Sequence, residues 1–178
     1  MTQKCLYGLP IYPSALPRLS SVIPHLKILL MVDNVQQIIH LENFAKSNPT
    51  VPPWPVFIKV DVGSHRAGLE TSSPSLPDLV TRVEESHSAC VYGFYCHAGH
   101  SYGCRTPEEA EKVLGDEVEG VVKAAGFLNQ GNSTGQQRKV VVSVGSTPTA
   151  HVVKSLKENL PSGVELELHA GSFTNPTP

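Results

Sequence analysis

VPPWPVFIKVDVGSHRAGLE, residues 51–70, reads as a strand that ends in a polar turn. Pro52, Pro53 and Pro55 punctuate its start, Val56 to Val62 is a run of β-branched and aromatic residues, and Gly63 to Gly68 is turn chemistry carrying a histidine and an arginine. Working outward, five further runs share this character: CLYGLPI at 5–11, KILLMVD at 27–33, CVYGFYCH at 90–97, VVVSVGS at 140–146 and VELELHAG at 164–171. Between them lie segments with helical spacing. Val35, Ile38, Ile39, Leu41 and Phe44 form one, Leu76, Leu79, Val80 and Val83 a second, and Ala110, Val113, Leu114, Val118, Val121 and Val122 a third. Start signals agree: Asp33-Asn34 precede the first of these, Thr106-Pro107-Glu108-Glu109 opens the long one, and Thr147-Pro148-Thr149 opens a last helix.

Strands alternating with helices imply right-handed βαβ crossovers and a parallel sheet, hence an α/β fold. The conspicuous polar residues sit at the C-terminal ends of the strands, where barrels and doubly wound sheets alike place their chemistry. Pattern alone leaves both architectures open. At 178 residues the chain suits one domain but is short for a complete (β/α)8 barrel of ~250 residues. The polar stretch NQGNSTGQQRK, residues 129–139, has no apolar face and reads as a surface insertion.

Composition narrows the function. A net charge of −2 gives no electrostatic reason to expect nucleic acid or an anionic membrane, so a small molecule is the expected partner. The longest apolar run, residues 28–32, is too short to span a bilayer. Four cysteines without a CxxC pair suit reduced thiols and a cytoplasmic location. Signatures for dinucleotides, nucleoside triphosphates, α/β-hydrolases and zincins are missing.

Three strand-end motifs carry candidate chemistry. Gly145, Ser146 and Thr147 could cup a phosphate with backbone N–H groups and hydroxyls, although a plain capped turn explains them as well, and Gly171-Ser172 would lie beside them in a barrel. Lys59, Asp61 and Arg66 surround one strand end; Arg66 could hold a phenolate or carboxylate, or simply face solvent. Tyr95, His97 and Tyr102 offer an imidazole and phenols at another, and His97 is flat enough to stack on a heteroaromatic ring. A metal held by His97, His100 and Cys104 is the rival reading of that motif.

Taken in order, YGLPIYP, LMVDN, FIKVDVGSHRAGLE, YGFYCHAGHSY, VSVGSTPT and ELHAGSF resemble the strand-end motifs of the D-serine dehydratase and D-threonine aldolase group. These are alanine-racemase-like enzymes dependent on pyridoxal 5′-phosphate (PLP). The resemblance implies a partial (β/α)8 barrel of about six βα units, corresponding to strands two to seven of the family. It places the PLP-anchoring lysine and the C-terminal β-domain with its zinc ligands outside these residues, so that no metal is expected here. It further implies that Arg66 contacts the PLP phenolic oxygen with Lys59 in support. His97, with Tyr95, packs on the pyridine face; Gly145, Ser146, Thr147, Gly171 and Ser172 cradle the phosphate; and Tyr102 lies at the edge. The implied activity is that of a D-amino-acid lyase, of dehydratase type acting on D-serine or of aldolase type, in a family whose members are often homodimers. For this chain alone the expectations are catalytic inactivity, through lack of the anchoring lysine, and low stability, from open sheet edges, with a non-catalytic PLP-binding or inert fragment as the alternative.

Overall fold

The computed structural model describes residues 3–128, 139–155 and 160–171. All six anticipated strands form: β1 (Lys4–Tyr7), β2 (Lys27–Val32), β3 (Trp54–Asp61), then β5 (Ala89–Tyr95), β6 (Val140–Val144) and β7 (Val164–Leu168). A two-residue strand, β4 (Leu69–Glu70), joins β3 as an addition that the sequence reading did not include. The sheet runs β1-β2-β3-β5-β6-β7 with every pairing parallel. Strands adjacent in sequence are adjacent in space, which is the winding of a barrel and not of a doubly wound sheet, whose strand order reverses.

Helices α1 (Leu16–Val22), α2 (Val35–Ser47), α3 (Ser75–Glu84), α4 (Pro107–Ala125) and α5 (Thr147–His151) connect them. The anticipated caps form. Asn34 accepts from the Gln36 backbone N–H while Gln37 reaches back to the Asn34 N–H, and Thr106 accepts from Glu109 N–H ahead of Pro107. Gly8 and Pro10 stop β1 at Tyr7, short of the expected residue 11.

The main core lies between sheet and helices, where Leu30, Val32, Val56, Ile58, Phe94 and Val142 meet Ile38, Leu41, Leu79 and Leu114. By strand alternation Leu29, Met31 and Phe57 face the opposite, concave side, and they are buried there as well. The insertion expected at 129–139 falls almost entirely outside the described residues.

One irregularity matters for the site. The β3–β5 register shifts between Val56 and Phe57, so that Val56 pairs with Val91 and Phe57 with Gly93, leaving Tyr92 as an extra residue. A regular strand would send residues 92 and 95 to opposite faces; with the bulge, both rings pack on Phe57, at 5.0 and 6.0 Å between centroids.

Candidate functional site

The C-terminal ends of β5, β6 and β7 enclose a cavity of about 470 Å³ lined by Tyr95, His97, Tyr102, Ser146, Thr147, His169, Ala170 and Gly171. Six of the residues anticipated from sequence therefore converge here from three separate strand ends. Gly145 lies just behind the wall, accepting a hydrogen bond from His97 Nδ1 at 3.0 Å. Tyr102 is exposed at the rim and donates to Thr147 Oγ1 at 3.3 Å.

Ser146 takes the capping part that the sequence left open beside the phosphate reading. Its hydroxyl is buried in a chain with Ser101 Oγ at 2.6 Å and Thr149 Oγ1 at 2.9 Å, and its N–H donates to Thr149 Oγ1. Ser146 caps α5, and the Thr147 hydroxyl is the one at the cavity face. Ser172 lies outside the described residues.

Arg66 is exposed on the turn after β3 and does not line the cavity. Its charge nevertheless reaches the site. Half-buried Lys59 is held below the ordinary lysine range, first by burial and then by repulsion from Arg66, against attraction from Asp33 and Asp61. Lys59 Nζ stands 6.0 Å from the Tyr95 ring centre. Burial pushes the Tyr95 phenol up to about 12, with Cys96, Glu117 and Glu167 adding to the shift and Arg66 opposing it, so the phenol stays neutral.

His169 was not singled out from sequence, yet it forms the back of the cavity. Its ring stacks on Tyr95 at 4.3 Å and 8°, and lies 6.0 Å from His97. Ser143 Oγ donates its single proton to Glu167 Oε1 at 3.0 Å, so it accepts from His169 Nδ1–H at 3.0 Å. Nε2 is then a bare lone pair, buried and without a partner. Burial foremost, then the nearby His97, lowers the pKa from 6.5 to about 4, with the Gly145 carbonyl pulling weakly the other way. The only advance signal was position: His169 ends a strand two residues before Gly171.

That shift sets a pH dependence. As pH falls from 6.5 towards 4, the unfolded chain takes up the proton before the folded one, so stability present above pH 6.5 is lost across that window. The expected loss is about 2 kcal/mol once partial exposure is allowed for. Denaturant unfolding at a series of pH values checks it, with His169→Asn expected to flatten the profile.

The metal reading of His97, His100 and Cys104 does not hold. Among the described residues, the metal-type side chains that the fold gathers within 4.8 Å are Asp61, His65 and Glu70, on the turn after β3 and away from this cavity.

A family model described as "Alanine racemase, N-terminal domain" matches residues 5–160. D-serine dehydratase of Schizosaccharomyces pombe is 41% identical over 94% of this chain and 41% of its own length. The enzyme of that name from Saccharomyces cerevisiae is 34% identical over 94% of this chain and 42% of its own. Among solved structures, D-threo-3-hydroxyaspartate dehydratase from Delftia superposes with a TM-score of 0.74 at 27% identity, covering 93% of this chain and 41% of that one. D-threonine aldolase from Filomicrobium marinum, at 17% identity, covers 95% of this chain and 42% of its own, and its TM-score of 0.66 shows the shared fold alone. The chain thus spans about two fifths of the length of the curated relatives it matches.

Proposed function

Because this chain belongs to the alanine racemase N-terminal domain family, we propose that it forms the PLP-cradling half-barrel of a D-amino-acid lyase of D-serine dehydratase type. The observation that carries this reading is the cavity itself: the His97 and His169 imidazoles, the Tyr95 phenol and the Thr147 alcohol line a space of about 470 Å³, room for one small heteroaromatic molecule. One feature fits the phosphate of PLP: Gly171 lines the cavity with open space on its Cα face, a Cβ there meeting nothing within 4 Å, so the backbone can be approached closely at that end.

In this reading the Thr147 hydroxyl and the Gly171 backbone take the phosphate end, His97 packs on the ring, and the His169 ring, stacked on Tyr95, lines the space beside it. Arg66 and Lys59 supply positive charge on the phenolic side, with Lys59 the weaker cation because of its lowered pKa. Tyr95, held neutral, offers a hydroxyl without adding negative charge. When bound, PLP supplies the electron sink for chemistry at the substrate Cα. The named activity of the two yeast relatives favours elimination of water from D-serine over aldol cleavage.

Equilibrium binding tests the reading. The 178-residue chain is expected to retain PLP on ultrafiltration, and Thr147→Ala is expected to weaken retention about tenfold through one lost hydrogen bond to a charged group. Since no lysine lines the cavity among the described residues, borohydride is expected to fix no PLP covalently, and the chain by itself is expected to form no pyruvate from D-serine. Failure of the chain to bind PLP at all would overturn the proposal.

A further inference from the structure

Glu117 interrupts an apolar stripe. On α4 the buried positions Ala110, Leu114, Val121, Ala124 and Ala125 are small or aliphatic, and Glu117 sits among them with no exposure at all. Among the described residues its partners are backbone amides and a thiol, not a lysine or arginine, although burying a carboxyl without a cation is costly. Its hydrogen bonds supply the reason. One oxygen, Oε1, accepts the backbone N–H of Ala98 at 3.0 Å and that of Gly145 at 3.2 Å, and the Cys96 thiol approaches at 3.8 Å. Burial beside this carboxyl keeps the Cys96 sulfur a thiol, whose one proton is shared between the Glu117 carbonyl oxygen at 3.7 Å and Oε1.

Both amides belong to the site. Ala98 follows His97, and Gly145 opens the turn that carries Thr147. The same two segments are joined a second time on the cavity side, where His97 Nδ1 donates to the Gly145 carbonyl. Ser64 Oγ adds a further tie, donating to the His97 carbonyl at 2.9 Å. A single oxygen atom shared by two loops fixes their separation more narrowly than two independent bonds could.

We propose that Glu117 is a positioning residue whose buried Oε1 sets the spacing between the His97 ring and the 145–147 turn, and thereby selects ligands that carry a phosphate beside the ring. This rests on the reading of the cavity as a PLP site. It extends that reading to a residue remote from the ligand, which acts through backbone rather than by touching it.

The test compares affinities of the full 178-residue chain for PLP and for pyridoxal, which lacks the phosphate, in wild type, Glu117→Gln and Glu117→Asp. Glutamine keeps an acceptor at the same reach, so the PLP-to-pyridoxal preference is expected to stay within about twofold of wild type. Aspartate keeps the charge but withdraws the acceptor by one methylene, and the preference is expected to fall about tenfold. A role in stability alone would lower the melting temperature and leave the preference unchanged; that result in Glu117→Asp, or loss of preference in Glu117→Gln, overturns the proposal. Amide exchange in the ligand-free protein separates this inference from the cofactor reading. Faster exchange at both Ala98 and Gly145 in Glu117→Asp supports the clamp, and unchanged exchange at both sinks it, whichever ligand the wild-type cavity prefers.

Discussion

Gly93→Ala is expected to yield a chain that does not reach its native fold. A Cβ at this position would stand 1.9 Å from the carbonyl oxygen of Val141 and 2.9 Å from Phe57 Cε1. Val141 is the residue paired with Gly93 across β5 and β6, so the obstacle is ladder backbone that cannot rotate aside. Relief requires the two strands to part in the middle of the sheet, at the point where the bulge against β3 already uses the local slack. Overpacking of side chains alone costs 1–3 kcal/mol, and against backbone the expected cost is about 4 kcal/mol or more, a large share of a typical total of 5–15. Soluble yield and a thermal melt followed by circular dichroism check this; a wild-type melting temperature in Gly93→Ala would refute it.

Gly145→Ala is expected to spare most of the sheet and remove the site. Gly145 holds φ at +132°, a region that L side chains rarely adopt, and a Cβ there would lie 2.2 Å from the His169 carbonyl oxygen. His169 cannot simply retreat, because its N–H donates to the Val144 carbonyl at 2.9 Å, extending the β6–β7 ladder. Backbone strain and the clash together are expected to cost about 3 kcal/mol. The displacement falls on the His169–Tyr95 stack and on the turn leading to Thr147, so retention of PLP is expected to drop at least about a hundredfold, equivalent to roughly 2.7 kcal/mol of binding. Cooperative unfolding with near-wild-type far-ultraviolet dichroism, combined with lost retention, is the expected pair of results. Wild-type retention would show that the turn tolerates a side chain and that the close approach is not what shapes the cavity.

Much of the fold was legible because its signals are local. Each strand is a short apolar run bounded by Gly, Pro or polar residues, and each cap depends on residues within four positions, as with Asn34 and Gln37 or Thr106 and Glu109. The site was legible as a set of strand ends, since parallel βα winding brings those ends to one side whatever the helices contain. Tyr95, His97, Tyr102, Thr147 and Gly171 were found in this way.

Roles set by distant partners were not legible. Ser146 could be read as a phosphate donor or as a plain cap, and its buried bond to Ser101, 45 residues away, was visible only in the fold. Glu117 was not singled out, because nothing near it in sequence reveals two amides waiting at the ends of β5 and β6. Arg66 carries the family motif yet sits on an exposed turn, acting on Lys59 and Tyr95 through its field and not by lining the cavity.

What the sequence by itself determined is the βα rhythm and the line of polar strand ends, for both follow from periodicity and turn chemistry within a few residues. Only the tertiary structure decided how those ends face one another. The bulge at Tyr92 turns two tyrosines to the same side, and the close approach of Gly145 to His169 brings β6 and β7 together at the cavity. Both depend on atoms of neighbouring strands meeting at particular heights, a register that no single strand encodes.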